Sequence, residues 1–343
     1  MNPVRLSGFL TGSYFHASQP SDGIIVGRLF DRNDNSFIGN AARITIKKAA
    51  ATGRLDFGFQ VDALYGKNAT LTQSAGLNIA DQVDVTQAFA ALNVPTSRGN
   101  FLQIKVGKMG PLQELEVLDD VLNPNFSHGY QFIYTADISE LGIGIDARLS
   151  PLLLAQFRIT NGWDVVRDNN SGKTANVRLE ITLSDAVDLA ISGYSGAEQP
   201  GNSADHRYGA EVTGAFKPAT NTTLFAQLDM GGEHGLGVNG GSAQWFGAGG
   251  WAVHDLSPKA SVVLRGEFFR DRDGTRTSGT LGFAAVPRRD LTSGTVTLNY
   301  KPVDHVLLRP ELRLEHSSRN DFGDPAAPKA TQLTFGLGLS LLF

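Results

Sequence analysis

The sequence contains no cysteine, so neither a disulfide framework nor a thiolate-bound metal can organise it. No run approaches the ~18 consecutive apolar residues that a membrane-spanning helix requires. Basic charge is not in surplus: 30 Lys and Arg stand against 34 Asp and Glu, a formal net charge of −4. That balance removes the electrostatic reason to expect nucleic acid as a partner. The N-terminus shows no charged segment, apolar run and cleavage site; Met1-Asn2-Pro3 leads straight into strand-like sequence, as mature numbering would. The histidines (16, 128, 206, 234, 254, 305, 316) are dispersed, without metal-ligand spacing. No Gly-x-Ser-x-Gly elbow is present, and Asp205-His206 is an isolated neighbour pair. The expectation is therefore a protein that is not an enzyme and carries no cofactor.

What is present is glycine, 39 residues of it, with 14 prolines mostly at segment ends. Strand glycine and turn proline suggest a sandwich, a propeller or a barrel. Hydrophobic residues make up 41%, and mean hydropathy is −0.13. That average suits a soluble protein, and equally a transmembrane barrel in which every second residue faces a polar lumen.

Period-two alternation recurs throughout. In Gln332 to Phe343 one face reads Leu, Phe, Leu, Leu, Leu, Phe, and the other Gln, Thr, Gly, Gly, Ser, Leu. So long an apolar face would be an edge liability in a soluble sheet, whereas in a closed barrel it meets lipid. Elsewhere the polar face is charged. Arg309, Glu311, Arg313 and Glu315 alternate with Leu308, Pro310, Leu312 and Leu314, and Arg265 and Glu267 oppose Val262, Leu264 and Phe268. Gln156 and Arg158, and likewise Arg178 and Glu180, follow the same rule; only residues 82–94 alternate poorly, near Asp84.

The connections alternate in length. Short turns fall at Ala50–Thr52, Pro95–Arg98, Ser150-Pro151, Ser184-Asp185, Pro218–Thr220, Ser257-Pro258 and Pro302–Asp304. Between them lie longer polar loops at 16–35, 66–82, 110–139, 163–172, 197–204, 233–241, 272–290 and 317–329. Seven turns and eight loops join sixteen strands, with short turns on the periplasmic side and long loops outside. The expected fold is one all-β domain, residues 1–343: a closed antiparallel transmembrane barrel of about sixteen strands in the bacterial outer membrane. The rival is a soluble all-β binding protein, which would have to hide the apolar face ending at Phe343.

The longest loop, 110–139, follows the fifth strand and holds Glu114, Glu116, Asp119, Asp120, Asp137 and, just beyond it, Glu140, with His128 as its one basic-capable residue. By analogy with sixteen-stranded diffusion porins it folds inward and narrows the pore; otherwise it is an ordinary acidic surface loop. Alternation turns Arg43, Lys47, Lys105, Arg148, Arg158, Arg178, Arg265, Arg309 and Arg313 inward, because a cation facing lipid at midplane costs about 2–4 kcal/mol. Acidic Glu114, Glu116, Asp119 and Asp120 against this basic wall would set a field that filters ions and orients dipolar solutes. Inward acids such as Asp62, Asp146, Glu267 and Glu311 compete for the same cations. Aromatics near strand ends (Tyr14, Tyr65, Tyr194, Tyr208, Trp245, Trp251, Tyr300) could form interfacial girdles or simply pack. Asp164, Asp168, Asn169 and Asn170 offer oxygen ligands for Ca²⁺, and Asx-rich turns look the same.

Asn161-Gly162-Trp163-Asp164, followed by Asp168-Asn169-Asn170 and Lys173-Thr174, resembles a signature of the OmpL-like β-barrel porin family. So do Leu29-Phe30-Asp31 with Asn35-Ser36-Phe37, Gln87-Ala88-Phe89, Val106-Gly107-Lys108 and Asn123-Pro124-Asn125-Phe126-Ser127. These matches run in order through residues 6–180; the second half matches in barrel pattern alone. Met109-Gly110-Pro111-Leu112 and Glu116-Val117-Leu118 depart from the family's usual Gly-Thr-type segment and acidic-Pro pair, which implies a constriction loop of different detail. The resemblance implies an outer-membrane channel and names no solute. Passive diffusion of small hydrophilic solutes and ions is the expected function, with outer-membrane lipid around the barrel. The alternative is a structural barrel with a plugged lumen that docks other envelope components. A homo-oligomer, a trimer in the pattern of diffusion porins, is an expectation from the class; no lipid-facing stripe marks its interface.

Overall fold

The structure, a computed structural model, describes residues 2–96, 99–113 and 115–343. Its strands are β1 (Arg5–Ala17), β2 (Ser36–Lys48), β3 (Asp56–Tyr65), β4 (Val83–Pro95), β5 (Phe101–Met109), β6 (Glu140–Ser150), β7 (Leu153–Trp163), β8 (Thr174–Ser184), β9 (Val187–Ala197), β10 (His206–Ala219), β11 (Thr222–Glu233), β12 (Ala243–Ser257), β13 (Ala260–Asp271), β14 (Arg289–Tyr300), β15 (Val306–Ser317) and β16 (Thr331–Leu342). Two one-turn helices, α1 (Lys67–Thr72) and α2 (Tyr130–Thr135), lie in connections. No helix among the described residues is long and apolar enough to cross a membrane.

Each strand pairs with its sequence neighbours, and β1 pairs antiparallel with β16, from Phe9 opposite Leu342 to Ala17 opposite Thr334. The ring of sixteen strands is closed, so no edge is left to template aggregation. Its polarity is the reverse of a soluble sheet. On β16, Leu333, Phe335, Leu337, Leu339 and Leu341 are exposed, while Gln332, Thr334 and Ser340 are buried. On β15, Leu312 and Leu314 are exposed, while Arg309, Glu311, Arg313 and Glu315 are buried. In a closed ring a strand has only an outer and an inner face. The exposed apolar row is therefore the outer, lipid-facing one, and the charges point inward.

The chain divides into two compact units. One comprises Met1–Gly8, Ala41–Glu114 and Asp137–Gly214; the other comprises Phe9–Asn40, Leu115–Ala136 and Ala215–Phe343. In the first, β4 departs from simple alternation for a visible reason. Its register against β3 steps from Asp62 opposite Gln87 to Ala63 opposite Val85, so Thr86 is the extra residue of a bulge. The bulge turns Asp84 inward, where it accepts a hydrogen bond from Thr72 Oγ1 (2.7 Å) and pairs with Lys108 Nζ (3.4 Å). Gly107 of β5, opposite Phe89, sits at φ +134°, a conformation that side-chain-bearing residues rarely adopt.

The second unit holds a core at its long-loop end. Tyr130 and Tyr134 of α2 pack with Val26, Trp245, Phe269, Phe283, Leu291 and Phe322. A smaller cluster joins Phe15, Ala17, Ile25 and Phe126. Across the two units the girdle expectation fails for several aromatics. Trp245, Trp251 and Tyr194 are buried on the polar side, because strand parity and not distance from the strand end decides the face. Tyr65 and Tyr300 are exposed.

Candidate functional site

The third long connection is the best-built feature of the inner face. Its middle, 115–136, belongs to the second unit and lies along the polar sides of β11 to β16. The strip Asn123-Pro124-Asn125-Phe126-Ser127 makes most of the attachment. The Arg309 guanidinium donates to the carbonyls of Asp120 (2.6 Å), Asn123 (2.5 Å) and Asn125 (3.4 Å), while its Nε donates to Asn299 Oδ1 (2.9 Å). Asn299 Nδ2 donates to the Pro124 carbonyl at 3.0 Å. Glu311 Oε2 accepts the backbone N–H groups of Phe126 (3.1 Å) and Ser127 (3.3 Å), and Asn125 Nδ2 donates to Thr297 Oγ1 (2.7 Å). Backbone groups of an irregular segment, which water would otherwise satisfy, are thus taken up by wall side chains.

Two carboxylates and two arginines fix the next stretch. Arg265 Nη1 donates to Glu116 Oε1 at 2.6 Å and to the Ser127 carbonyl at 2.6 Å. Glu116 also accepts from Trp251 Nε1 (3.3 Å) and from the N–H of Gly129 (2.6 Å). Arg313 donates to the His128 carbonyl (2.8 Å), and Glu315 accepts from the Tyr130 hydroxyl (2.9 Å) and pairs with Arg28 Nε (3.0 Å). Arg28 pairs in turn with Asp31, and Phe30 rests on His128 and Phe132.

The wall is cut to receive this loop. A Cβ on Gly338 would collide with the Phe126 ring, and one on Gly249 with Gln131 Oε1. These inward glycines are footprints of the loop: a larger residue at Gly338 would have to shift the Phe126 ring, and one at Gly249 would have to turn the Gln131 amide aside.

Titration in the loop follows from these contacts. Burial works against the ionised Glu116, but Arg265, His128 and the Gly129 N–H outweigh it and hold the carboxyl below its usual range. Burial keeps His128 below the ordinary imidazole value, with Glu116 acting the other way. Burial pushes Asp120 up to about 7 despite Arg309.

In the first unit the inward cations are mostly matched. Arg43 lies 3.8 Å from Asp62, Lys105 2.5 Å from Asp146, and Arg158 3.3 Å from Glu140. Arg178 meets Glu180 (3.1 Å), Glu211 (3.4 Å) and the Leu112 carbonyl (2.8 Å). Lys47 is exposed, and Arg148 is half-buried two residues beyond Asp146.

Several acidic residues do not stand as the sequence suggested. Glu116 is paired in contact with Arg265, and Asp120 is buried with Arg309 bonded to its backbone carbonyl, so neither carboxyl faces the basic wall across water. Asp119 is half-buried, its carbonyl capping the turn at Leu122. Glu114 lies outside the described residues. The oxygens considered for Ca²⁺ do not converge. Asp164 accepts the N–H groups of Ile138 and Ser139 (both 2.9 Å), Asp168 pairs with Lys173, and Asn170 donates to the Ala197 carbonyl. Asn169 Oδ1 accepts from Asn170. Backbone turns use these groups first, and no cluster of three or more His, Asp or Glu side chains suited to a metal occurs among the described residues.

The signature segment at the end of β7 has a structural meaning. Asn161 bonds the Val166 carbonyl, Gly162 sits at φ +117°, the Trp163 N–H reaches Glu198 (2.8 Å), and Asp164 ties down residues 138–139. It staples the end of the third connection to the loop that follows β7. Burial pushes the Asp164 carboxyl up to about 6, while those two N–H bonds pull it down.

A closed sixteen-strand barrel with an apolar exterior, an ionic interior and an inward third loop defines an outer-membrane porin. The chain belongs to the family described as Putative beta-barrel porin-2, OmpL-like, whose model matches residues 3–343, so the family likeness extends well beyond residue 180. It is an outer-membrane protein. Among solved structures it is similar to the anion-selective porin from Comamonas acidovorans (TM-score 0.69, 11% identity, 99% of each chain covered). It is also similar to the trimer form of OmpT, an outer membrane protein of Vibrio cholerae (TM-score 0.66, 11% identity, 99% of each chain). A third likeness is to the outer membrane channel DcaP of Acinetobacter baumannii (TM-score 0.64, 11% identity, 99% of this chain and 97% of that one). No curated protein matches the sequence.

Proposed function

We infer that the barrel lets small hydrophilic solutes and ions diffuse passively through a water-filled, charge-lined interior, without a catalytic step. The observation that carries this reading is the inverted polarity of the strands: paired ions inside, apolar side chains outside. Residues 115–136, bound along their length to the wall, serve as a fixed inner lining. Lys47 has no acidic partner among the described residues and lines a cavity of about 220 Å³ with Lys48, Gln60, Phe89, Gln103 and Lys105, which favours anions in transit. As in the trimeric neighbour, the barrel is proposed to assemble as a homo-oligomer.

Planar-bilayer recording of the refolded protein under a salt gradient tests the channel. Discrete, stable openings with an anion-sided reversal potential are expected. Silence from protein whose circular dichroism shows a folded barrel would refute diffusion. That outcome would support a second reading, a plugged structural barrel, which the aromatic packing of Tyr130, Phe269, Phe283 and Phe322 favours.

A further inference from the structure

On the outer face, at the long-loop end of β12 to β14, the apolar surface gives way to arginine. Along β13 the outward row reads Leu264, Gly266, Phe268, Arg270, and the strand ends at Asp271. Arg270 is therefore about 20 Å from Leu264 along the strand, at the rim where headgroups begin. Directly opposite it stand Phe246 on β12 and Asp290 on β14. The Arg270 guanidinium grips Asp290 bidentately (3.0 and 2.9 Å) and lies over the Phe268 ring, 5.4 Å from its centroid.

Two further arginines from the loop between β13 and β14 crowd the same spot. Arg272 donates to Gln244 Oε1 (2.7 Å), and Arg288 reaches Asp290 at 3.4 Å. Arg319 donates to the Arg288 carbonyl (3.0 Å), and Asp273 accepts the Gln244 N–H (3.0 Å). Four guanidinium groups thus meet two carboxylates, leaving a local excess of two positive charges. Arg270 and Arg288 keep about half their side-chain surface exposed (46% and 56%). Between them lies an open cavity of about 430 Å³, lined by Gln244, Trp245, Phe246, Arg270, Arg272 and Arg288.

We propose that this rim is a binding site for the phosphate groups of a phosphorylated glycolipid in the outer leaflet. The guanidinium fork matches phosphate geometry bidentately, and its weak hydration suits an interface. Phe268 below Arg270, and Phe246 level with it, offer apolar surface to the acyl chains of the same molecule. A soluble anion would use the arginines without the aromatic floor; a lipid uses both. The site lies on the outside of the wall and does not depend on conduction.

The test is native mass spectrometry of the detergent-folded barrel with bisphosphorylated lipid A, its dephosphorylated form and inorganic phosphate as probes. Wild type should retain lipid A. The R272E/R288E variant should bind it about 10²–10³-fold more weakly, because two basic side chains beside the anionic headgroup are replaced by two repelling carboxylates. Loss of the lipid's phosphates should weaken binding to wild type similarly. Equal retention by wild type and variant, or equal retention of the dephosphorylated lipid, would overturn the proposal. Displacement of lipid A by equimolar inorganic phosphate would also overturn it, marking a site for free anions. Should the double variant fail to give the folded, heat-modifiable band, R288Q alone serves, since that side chain is exposed and makes one long contact; it should still weaken binding several-fold.

Discussion

Arg309→Met is the sharpest perturbation of the loop attachment. The side chain is 2% exposed, and its guanidinium serves three loop carbonyls and Asn299. Methionine keeps the length of the aliphatic stem and removes every donor. Hydrogen bonds from a charged donor contribute about 1.5–3 kcal/mol each and do not add fully, and breaking a buried ionic attachment costs about 3–5 kcal/mol. At about 1.4 kcal/mol per tenfold, local opening of residues 117–128 should become about 10²–10⁴ times more frequent. Hydrogen exchange read by mass spectrometry should show faster exchange in peptides covering that segment, with β11 to β16 unchanged. In bilayers the same variant should give noisier current, because a loosened lining fluctuates in the lumen. Unchanged exchange in the segment would refute the idea that Arg309 holds the loop. Uniform acceleration across all strands would show that it holds the barrel instead.

Gly338→Leu should lower the thermal midpoint of the folded band, by about 1–3 kcal/mol of overpacking against Phe126, whereas Gly294→Leu, whose Cβ would meet open space, should be neutral. Loop stability should depend on pH in two opposed ways. Asp120, raised to about 7, contributes stability present below about 4 and lost as pH rises to about 7. His128, lowered below 6.5, contributes stability that grows as pH rises to about 6.5 and is complete above it. Exchange in 117–128 should therefore slow from pH 5 to 6.5 in Asp120→Asn and quicken from pH 5 to 7 in His128→Gln, above the range in which Glu116 titrates, measured at matched intrinsic rates; identical profiles in the two variants would contradict the assignment.

The family signatures were legible as short words, and their meanings were not. Asn123 to Ser127 is a docking strip for Arg309 and Glu311, residues more than 180 positions away. Leu29-Phe30-Asp31 holds Arg28 and His128 in place. The inward glycines gave a faint signal, since Gly336 and Gly338 interrupt the polar face of β16. Their purpose, clearance for Phe15 and Phe126, depends on segments that the strand itself does not contain.

The sequence by itself determined the strands, their number and the inversion of their faces. Alternation is a local property with period two, and the contrast of short turns with long loops counts the crossings. Tertiary structure decided what those faces do. The Thr86 bulge reset the parity around Asp84, and the third loop met the wall where Glu116 could pair with Arg265, 149 residues away. A carboxylate's partner depends on which strands the closed ring brings beside it, and no periodicity within one segment carries that information.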